Sequence, residues 1–334
     1  MERLVRFMLK QHAMPRKSRN QTKRNRIWLY SSLGVGAVIL LIAAYYVYSI
    51  LSFTKQIHEN SETNNMLDHR RLHEEPAHEP PEWDGKEKVN ILLLGGDARG
   101  NRSRPLSDSN ILVSIDPERQ SAKLYSVLRD TYVDVPGYGK NRINTALAFG
   151  GPGLAMETVG QLTGLNVQYY VFVDFEGFIA LIDAIGGIDV DIEKNMRRID
   201  RADDPRYNID LKKGEQHLDG LQALQYVRFR SDAKSDFGRS ERQRKFVSSV
   251  AAKMKSTTTL IQLPKVLNSI APYLETNIEP HEMLKLARLG MRIDLGQMSD
   301  VQIPPDGMFK PQRIDGNDVL VIDPERIKQY INEQ

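Results

Sequence analysis

The sequence predicts an α/β domain with a mixed central sheet and helices on both faces, preceded by one transmembrane helix. Three observations carry this prediction. A run of 27 uncharged residues stands near the N-terminus, three apolar runs follow one another behind short polar connections, and later segments alternate helical and strand periodicity.

The first run, Ile27 to Phe53, exceeds the roughly 20 residues that a helix needs to cross the hydrocarbon core. It is also longer than a signal-peptide core, and no small-residue cleavage site closes it, so it reads as an uncleaved anchor. Lys17, Arg19, Lys23, Arg24 and Arg26 crowd one flank against a lone Lys55 on the other. The positive-inside rule therefore predicts a cytoplasmic N-terminus, a single pass through the cell membrane, and an extracellular domain beyond residue 53. The expected organisation is a basic cytoplasmic tail (1–26), a transmembrane signal-anchor (27–53), an extracellular linker (54–86) and an extracellular catalytic domain (87–334). The linker is polar and Pro-rich. His69 and His73 within it have i,i+4 spacing, but without carboxylates fixed by a core they read as solvated linker.

Charge narrows the function classes. The chain carries +3 over 334 residues, yet residues 1–26 hold nine Lys or Arg against Glu2, which leaves the remainder at −5. Nucleic acid is thereby excluded as the main partner, because counterion release needs basic charge on the folded domain. The absence of cysteine removes disulfides, zinc–thiolate sites and cysteine nucleophiles together.

Within the domain, Val89–Leu94, Asn110–Ile115 and Lys123–Leu128 read as strands covered on both faces. The five-residue connection at 116–120 is too short for a crossover helix, so the second and third strands are predicted to be antiparallel. Asp174 is a helix cap ahead of Phe175, Phe178, Ile179, Ile182 and Ile185, and Gly186–Gly187 ends that helix. GIDVDI then reads as a strand, Arg239 to Lys255 as a long helix, and Val319–Ile322 as a strand before a helix capped by Asp323. Met283, Leu284, Leu286, Ala287 and Met291 form an amphipathic segment that either closes the core or makes a subunit contact.

If the first connection is antiparallel too, Asp97, Asp108 and Arg129–Asp130 share one mouth of the sheet, where loops of α/β folds assemble sites. Two aspartates there suit magnesium, which takes a couple of carboxylate oxygens and otherwise water and phosphate; alternatively each simply caps a turn. Residues 226–246 hold seven basic residues in 21. In an extended stretch Arg228 and Arg230 point one way and Val227 and Phe229 the other. On the following helix, stepping back from Phe246 by 3, 4 and 7 reaches Gln243, Arg242 and Arg239, which places them on the inward stripe with Arg244 and Lys245 facing solvent. Arginines projecting from the first turns of a helix make a receptor for phosphate or pyrophosphate.

The ordered series GGDAR (95–99), SD (107–108), LRDTY (128–132), RINTALAFGG (142–151), FVDFEGFIALIDAIGGIDVDI (172–192), GEQHLDGLQALQYVRFR (214–230) and DFGRSERQ (236–243) resembles the LytR-CpsA-Psr family over about residues 88–256. The resemblance implies a transferase: a phosphotransferase that moves a cell-wall glycopolymer, often teichoic acid, from a polyprenyl-pyrophosphate lipid to peptidoglycan. It further implies that Asp97 and Asp108 position Mg2+, and that Arg129, Arg228, Arg230, Arg239 and Arg242, with Gln243, engage the pyrophosphate. Asp97, Arg129, Arg228 and Arg230 are the expected catalytic set. Two departures stand out: Leu106, where the family has a basic residue, precedes Ser107–Asp108, with Arg102 and Arg104 upstream, and Arg142–Ile143–Asn144 replaces a Lys-Ile-Asn triplet. Two other readings remain, a hydrolase using water as acceptor and a non-catalytic envelope regulator or lipid receptor. The short tail counts against direct gene control.

Overall fold

The computed structural model describes residues 19–63, 83–98, 105–201, 203–230 and 236–334; Lys17, His69, His73, Arg102 and Arg104 lie outside them. Helix α1 (Arg19–Thr63) contains the apolar stretch Tyr30–Ile57, long and apolar enough to cross a membrane by length and composition. The chain divides after Tyr48 into two compact units. The second, Ser49–Gln334, begins within α1. The helix therefore passes the expected linker start at residue 54. Residues 54–63 contain neither Gly nor Pro, and Phe53 and Ile57, one turn apart, are buried against Ala271. Near the other end of that expected linker, Trp83 is buried and donates through Nε1 to the Glu87 carbonyl at 2.8 Å.

The three apolar runs form β1 (Val89–Gly96), β2 (Ser107–Asp116) and β3 (Ser121–Val127), joined as two successive antiparallel pairs. Next come β4 (Thr131–Val135), β5 (Gly139–Arg142), α2 (Thr145–Thr163), β6 (Tyr169–Val173), α3 (Phe175–Ala184), β7 (Ile188–Ile192), β8 (Met196–Arg198), β9 (Ile209–Leu211) and β10 (Gly214–Leu218). The chain then forms α4 (Gly220–Arg228), α5 (Asp236–Met254), α6 (Thr257–Ile261), α7 (Leu263–Ile270), β11 (Leu274–Thr276) and α8 (Pro280–Arg292). It ends with β12 (Ser299–Ile303), β13 (Phe309–Ile314), β14 (Asn317–Ile322) and α9 (Pro324–Asn332).

The central sheet has the order β11-β6-β1-β2-β3-β12. It is mixed as expected: β6 runs parallel to β1 and β12 parallel to β3, while the β1–β2, β2–β3 and β6–β11 pairs are antiparallel. Both edge strands come from residues beyond 256, so the C-terminal region completes the sheet. A second sheet, β13-β14-β4-β5, adjoins the segment that leaves β3.

Alternation along the strands divides the core between two faces. Leu92, Leu94, Tyr125 and Val127 pack with Met156 and Val159 of α2 and Ile327 and Ile331 of α9. Val89 and Ala122 belong to a separate cluster with Leu289 of α8, and Ser126 meets Ser240 of α5 at 2.6 Å. A third cluster joins α3 and α4 to Phe246 of α5. Helix α5 is therefore enclosed between the sheet and the α3–α4 layer. Asp174 caps α3 by accepting from the Gly177 N–H at 2.8 Å, and Asp323 caps α9 in the same way. Gly187 holds φ +77°, and an added Cβ there would fall 2.3 Å from the His217 ring, so only glycine closes this helix end.

Candidate functional site

The antiparallel β1–β2–β3 arrangement brings the end of β1, the start of β2 and the end of β3 to one mouth. Gly96 pairs with Ser107 across a break in the register, so Asp97, just past β1, and Asp108, the second residue of β2, lie at the same end of the β1–β2 pair. The turn after β3 is fixed through its backbone: Thr131 donates to the Leu128 carbonyl through both N–H (3.0 Å) and Oγ1 (2.6 Å), and the Asn144 N–H donates to the Arg129 carbonyl at 3.3 Å. With its main chain tied to two elements, Arg129 projects its side chain into the mouth.

Arg129 is the hub of a charged nest. Its Nη1 donates to Asp108 at 2.5 Å, and its Nε lies 3.6 Å from Asp130 and 3.4 Å from Asp236. Asp236, the first residue of α5, also meets Arg230 at 2.7 Å and Arg239 at 3.2 Å, while Arg142 reaches Asp130 at 3.3 Å. Four guanidiniums thus face three carboxylates, a net charge of +1 with every group ionised. The Nε atoms of Arg129, Arg230 and Arg239 are buried and make no aligned hydrogen bond, even where a carboxylate lies within ion-pair distance.

These groups perturb one another. Burial, aided by Arg129 and Arg230, pulls Arg239 down to about 10. Burial and the neighbouring Arg129 also lower Arg230. Burial opposes the charge of Arg129 too, but Asp236, Asp108 and Asp130 outweigh it and raise the pKa. Asp130 is raised by burial and by its hydrogen bond to Asp236. For Asp236 burial acts upward, but Arg239, that same hydrogen bond, Arg129 and Arg230 prevail and hold it low. With Asp130 raised and Asp236 lowered, Asp130 takes up a proton ahead of Asp236 as pH falls, and with Asp130 protonated the nest carries +2.

Arg228 and Arg242 do not join this nest. Arg228 is the last residue of α4, not part of an extended stretch, because Asp219 and Gln222 form a reciprocal capping box that starts a helix at Gly220. Its guanidinium pairs with Asp203 at 3.0 Å and lies over the Phe175 ring at 4.4 Å, so Arg228 and Arg230 are not parallel forks. Arg242 pairs with Glu193 at 3.1 Å and covers the Phe229 ring. Gln243 bridges two elements, accepting from Ser109 Oγ at 3.2 Å and donating to the Val227 carbonyl. The expected receptor of five arginines is thus a nest built on Arg129, Arg230 and Arg239, with Arg142 added and two arginines held outside it.

Arg244 corrects the reading of α5. It is only 8% exposed, as buried as Arg239 (7%), and pairs with Asp300 of β12 and with Ser240. The apolar stripe showed only the face toward α3 and α4, whereas the sheet covers another. Lys245 is exposed and pairs with Glu241, as expected.

Asp236 and Arg142 were not among the predicted site residues, and Asp130 was placed at the mouth beside Arg129 without a role. The i,i+3 spacing of Asp236 to Arg239 was available as a signal. Asp97 and Asp108 offer the hard oxygen donors that suit magnesium, which needs only one or two protein carboxylates. The charge of Asp97 contributes to the raised pKa of Asp174, after burial, while Asp108 is engaged by Arg129. Among the described residues no cluster of three or more His, Asp or Glu forms a larger cage. A cavity of about 380 Å³ on the β7–β10 ladder is lined by Asp189, Asp191, Glu215 and His217, the wrong charge for an anion.

Comparison with known proteins follows the same lines. The chain is 40% identical over 202 residues to Regulatory protein MsrR of Staphylococcus aureus, a match taking in 60% of this chain and 58% of that relative, so less than two thirds of MsrR is spanned. It is 34% identical over 291 residues to the polyisoprenyl-teichoic acid–peptidoglycan teichoic acid transferase TagU of Bacillus anthracis, covering 85% and 89% of the two chains. Among solved structures, B. subtilis TagV superposes with TM-score 0.62 at 29% identity over 74% of this chain and 97% of its own. TagT bound to LI-WTA gives TM-score 0.60 at 27% identity over 76% and 92%. The model of the LytR_cpsA_psr family matches residues 45–334, and with this sheet, this mouth and these relatives the chain belongs to the LytR_cpsA_psr family.

Proposed function

We propose that this protein is a cell-wall glycopolymer transferase. It moves an anionic polymer, of the teichoic acid class that TagU is named for, from a polyprenyl-pyrophosphate carrier to peptidoglycan. It does so at the outer face of a membrane in which α1 anchors it. One observation carries the reading: three buried arginine Nε groups converge without aligned acceptors in a nest of net positive charge. A pyrophosphate supplies oxygens for such donors and offsets the cost of their burial.

In this mechanism a sugar hydroxyl of peptidoglycan attacks the phosphorus that carries the polymer. A new P–O bond forms, the bond to the bridging oxygen breaks, and polyprenyl phosphate leaves with the electron pair. Arg129, Arg230 and Arg239 hold the phosphoryl oxygens and neutralise the charge that grows on the leaving phosphate, which is the main demand of phosphoryl transfer. Arg142 balances Asp130 at the rim of the nest. Asp97 is the assigned acceptor of the hydroxyl proton. Asp97 and Asp108 would also hold magnesium, which when bound supplies further neutralisation of phosphoryl charge. Arg228, Arg242 and Gln243 are assigned to the flank of the substrate, where they meet the parts of the lipid-linked sugar next to the pyrophosphate.

The test is to incubate the full chain with a synthetic polyprenyl-pyrophosphate glycan, magnesium and peptidoglycan fragments, and to identify products by mass. A phosphodiester-linked glycan–peptidoglycan adduct with polyprenyl phosphate is expected. Release of glycan phosphate alone would make the protein a hydrolase. Tight binding without turnover would favour a lipid receptor, the class nearer to the name of MsrR.

A further inference from the structure

Helix α8 presents two unlike faces. Glu282 and Leu289 are buried, with Met283 and Leu286 packed beside them. The opposite face exposes Leu284 (59%) and Met291 (50%), seven residues apart and therefore on one side. Lys285, Arg288 and Arg292 are exposed around them. Glu282, the one acidic residue within the helix, is turned inward and accepts from the Tyr169 hydroxyl. The outward face is therefore apolar and basic together, the composition of helices that lie in the headgroup region of anionic membranes.

The place of α8 in the fold points to the same partner. Met283 belongs to a cluster with Phe53, Ile57 and Ala271, and Leu267 and Ile270 of α7 join it. Phe53 and Ile57 stand in the last turns of the apolar stretch Tyr30–Ile57. The end of the apolar stretch thus shares one hydrophobic cluster with Met283 of α8, and one helix diameter, roughly 10 Å, is comparable to the depth of the headgroup zone.

We infer that the outward face of α8 rests on the anionic bilayer surface in which the chain's own N-terminal helix is anchored. Leu284 and Met291 enter the headgroup layer while Lys285, Arg288 and Arg292 meet lipid phosphates. This contact rests on the membrane-anchored reading above.

The chain has no cysteine, so single cysteines can be placed and labelled cleanly. Full-length protein in anionic nanodiscs would carry an environment-sensitive fluorophore at Leu284→Cys, Met291→Cys, Ile199→Cys or Val38→Cys, with quenching by headgroup-labelled lipid and by aqueous iodide. Ile199 is 60% exposed and lies outside α8, and Val38 lies inside the apolar stretch. Lipid quenching is expected to be several-fold stronger at 284 and 291 than at 199, with iodide quenching in the reverse order. Changing Lys285, Arg288 and Arg292 together to Gln, or using zwitterionic discs, is expected to reduce the lipid quenching several-fold. Equal iodide access at 284, 291 and 199, with the probe at 38 shielded in the bilayer, would overturn the α8 contact while leaving the anchor intact. A probe at 38 open to iodide would overturn both. Shielding of 284 from iodide without lipid quenching would mean that a second copy covers the face, which also overturns the proposal.

Discussion

Replacing Arg239 by Met separates a binding arginine from a structural one. The side chain is 7% exposed, and its pKa falls from the ordinary arginine range to about 10, which corresponds to a cost of about 3 kcal/mol for keeping the charge in the fold. The sign follows from the depressed folded value: the contribution to stability is present only above the ordinary arginine range and is lost as pH falls through about 10, so near neutral pH the cost is constant. Methionine fills the space of the stem and removes the charge, while Asp236 keeps Arg129 and Arg230 as partners. Stability without ligand is therefore expected to match the parent or exceed it by up to about 3 kcal/mol. Urea titration followed by the buried Trp83 reads this out. Affinity for a polyprenyl pyrophosphate should fall in the same variant by roughly 10- to 100-fold, the loss of one charge-assisted hydrogen bond. A variant destabilised by about 3 kcal/mol or more that still bound the lipid normally would refute the reasoning, because Arg239 would then serve the fold and not the ligand.

The other arginine partners make different predictions. Asp236→Asn removes the anion already held by Arg129, Arg230 and Arg239; stability should fall by about 3 kcal/mol in urea titration while sulfate binding, read by calorimetry, tightens. The raised pKa of Asp130 gives stability that is present below the ordinary carboxylate range and lost as pH rises through its folded value, and the lowered Asp236 gives the opposite, lost as pH falls. Sulfate affinity, measured calorimetrically across the acidic range, should weaken as Asp130 loses its proton, and Asp130→Asn should flatten that profile; an unchanged slope would count against Asp130 as the titrating group. Arg244→Ala should cost about 1.5–3 kcal/mol of stability through loss of Asp300 and Ser240 with pyrophosphate binding retained, whereas Lys245→Ala should change stability by less than about 1 kcal/mol. Asp97→Asn and Asp108→Asn should each abolish magnesium-dependent turnover at little change in thermal midpoint, and full activity in both would return them to turn caps.

Apolar pattern and turn length made the frame of this site legible. The runs at Val89, Asn110 and Lys123 with a five-residue connection require neighbouring strands, and that pairing puts Asp97, Asp108 and Arg129 at one mouth. The heptad-like step back from Phe246 likewise found Arg239 and Arg242, both buried. What stayed hidden is how the charges pair, because an apolar stripe records burial against hydrophobic neighbours and has no counterpart for burial against opposite charge. Arg244 lies off the stripe, yet Asp300 and Ser240 receive it. Beginning α5 at Arg239 instead of Asp236 omitted a carboxylate that meets three arginines.

That omission changes the chemistry as well as the boundary. Five convergent arginines with no acid among them would demand a bound anion before the domain could fold. In the nest as built, Asp236 occupies that place from within the chain, and its first-turn position on α5 also suits the helix dipole. Under the proposed function an incoming pyrophosphate competes with Asp236 for Arg129, Arg230 and Arg239. The surplus charge of the nest, +1 with Asp130 ionised and +2 with it protonated, sets how strongly it does so. Discrimination follows from the same surplus: a singly charged headgroup gains little by displacing a carboxylate of equal charge, whereas a pyrophosphate brings two charges and more oxygens to the same donors.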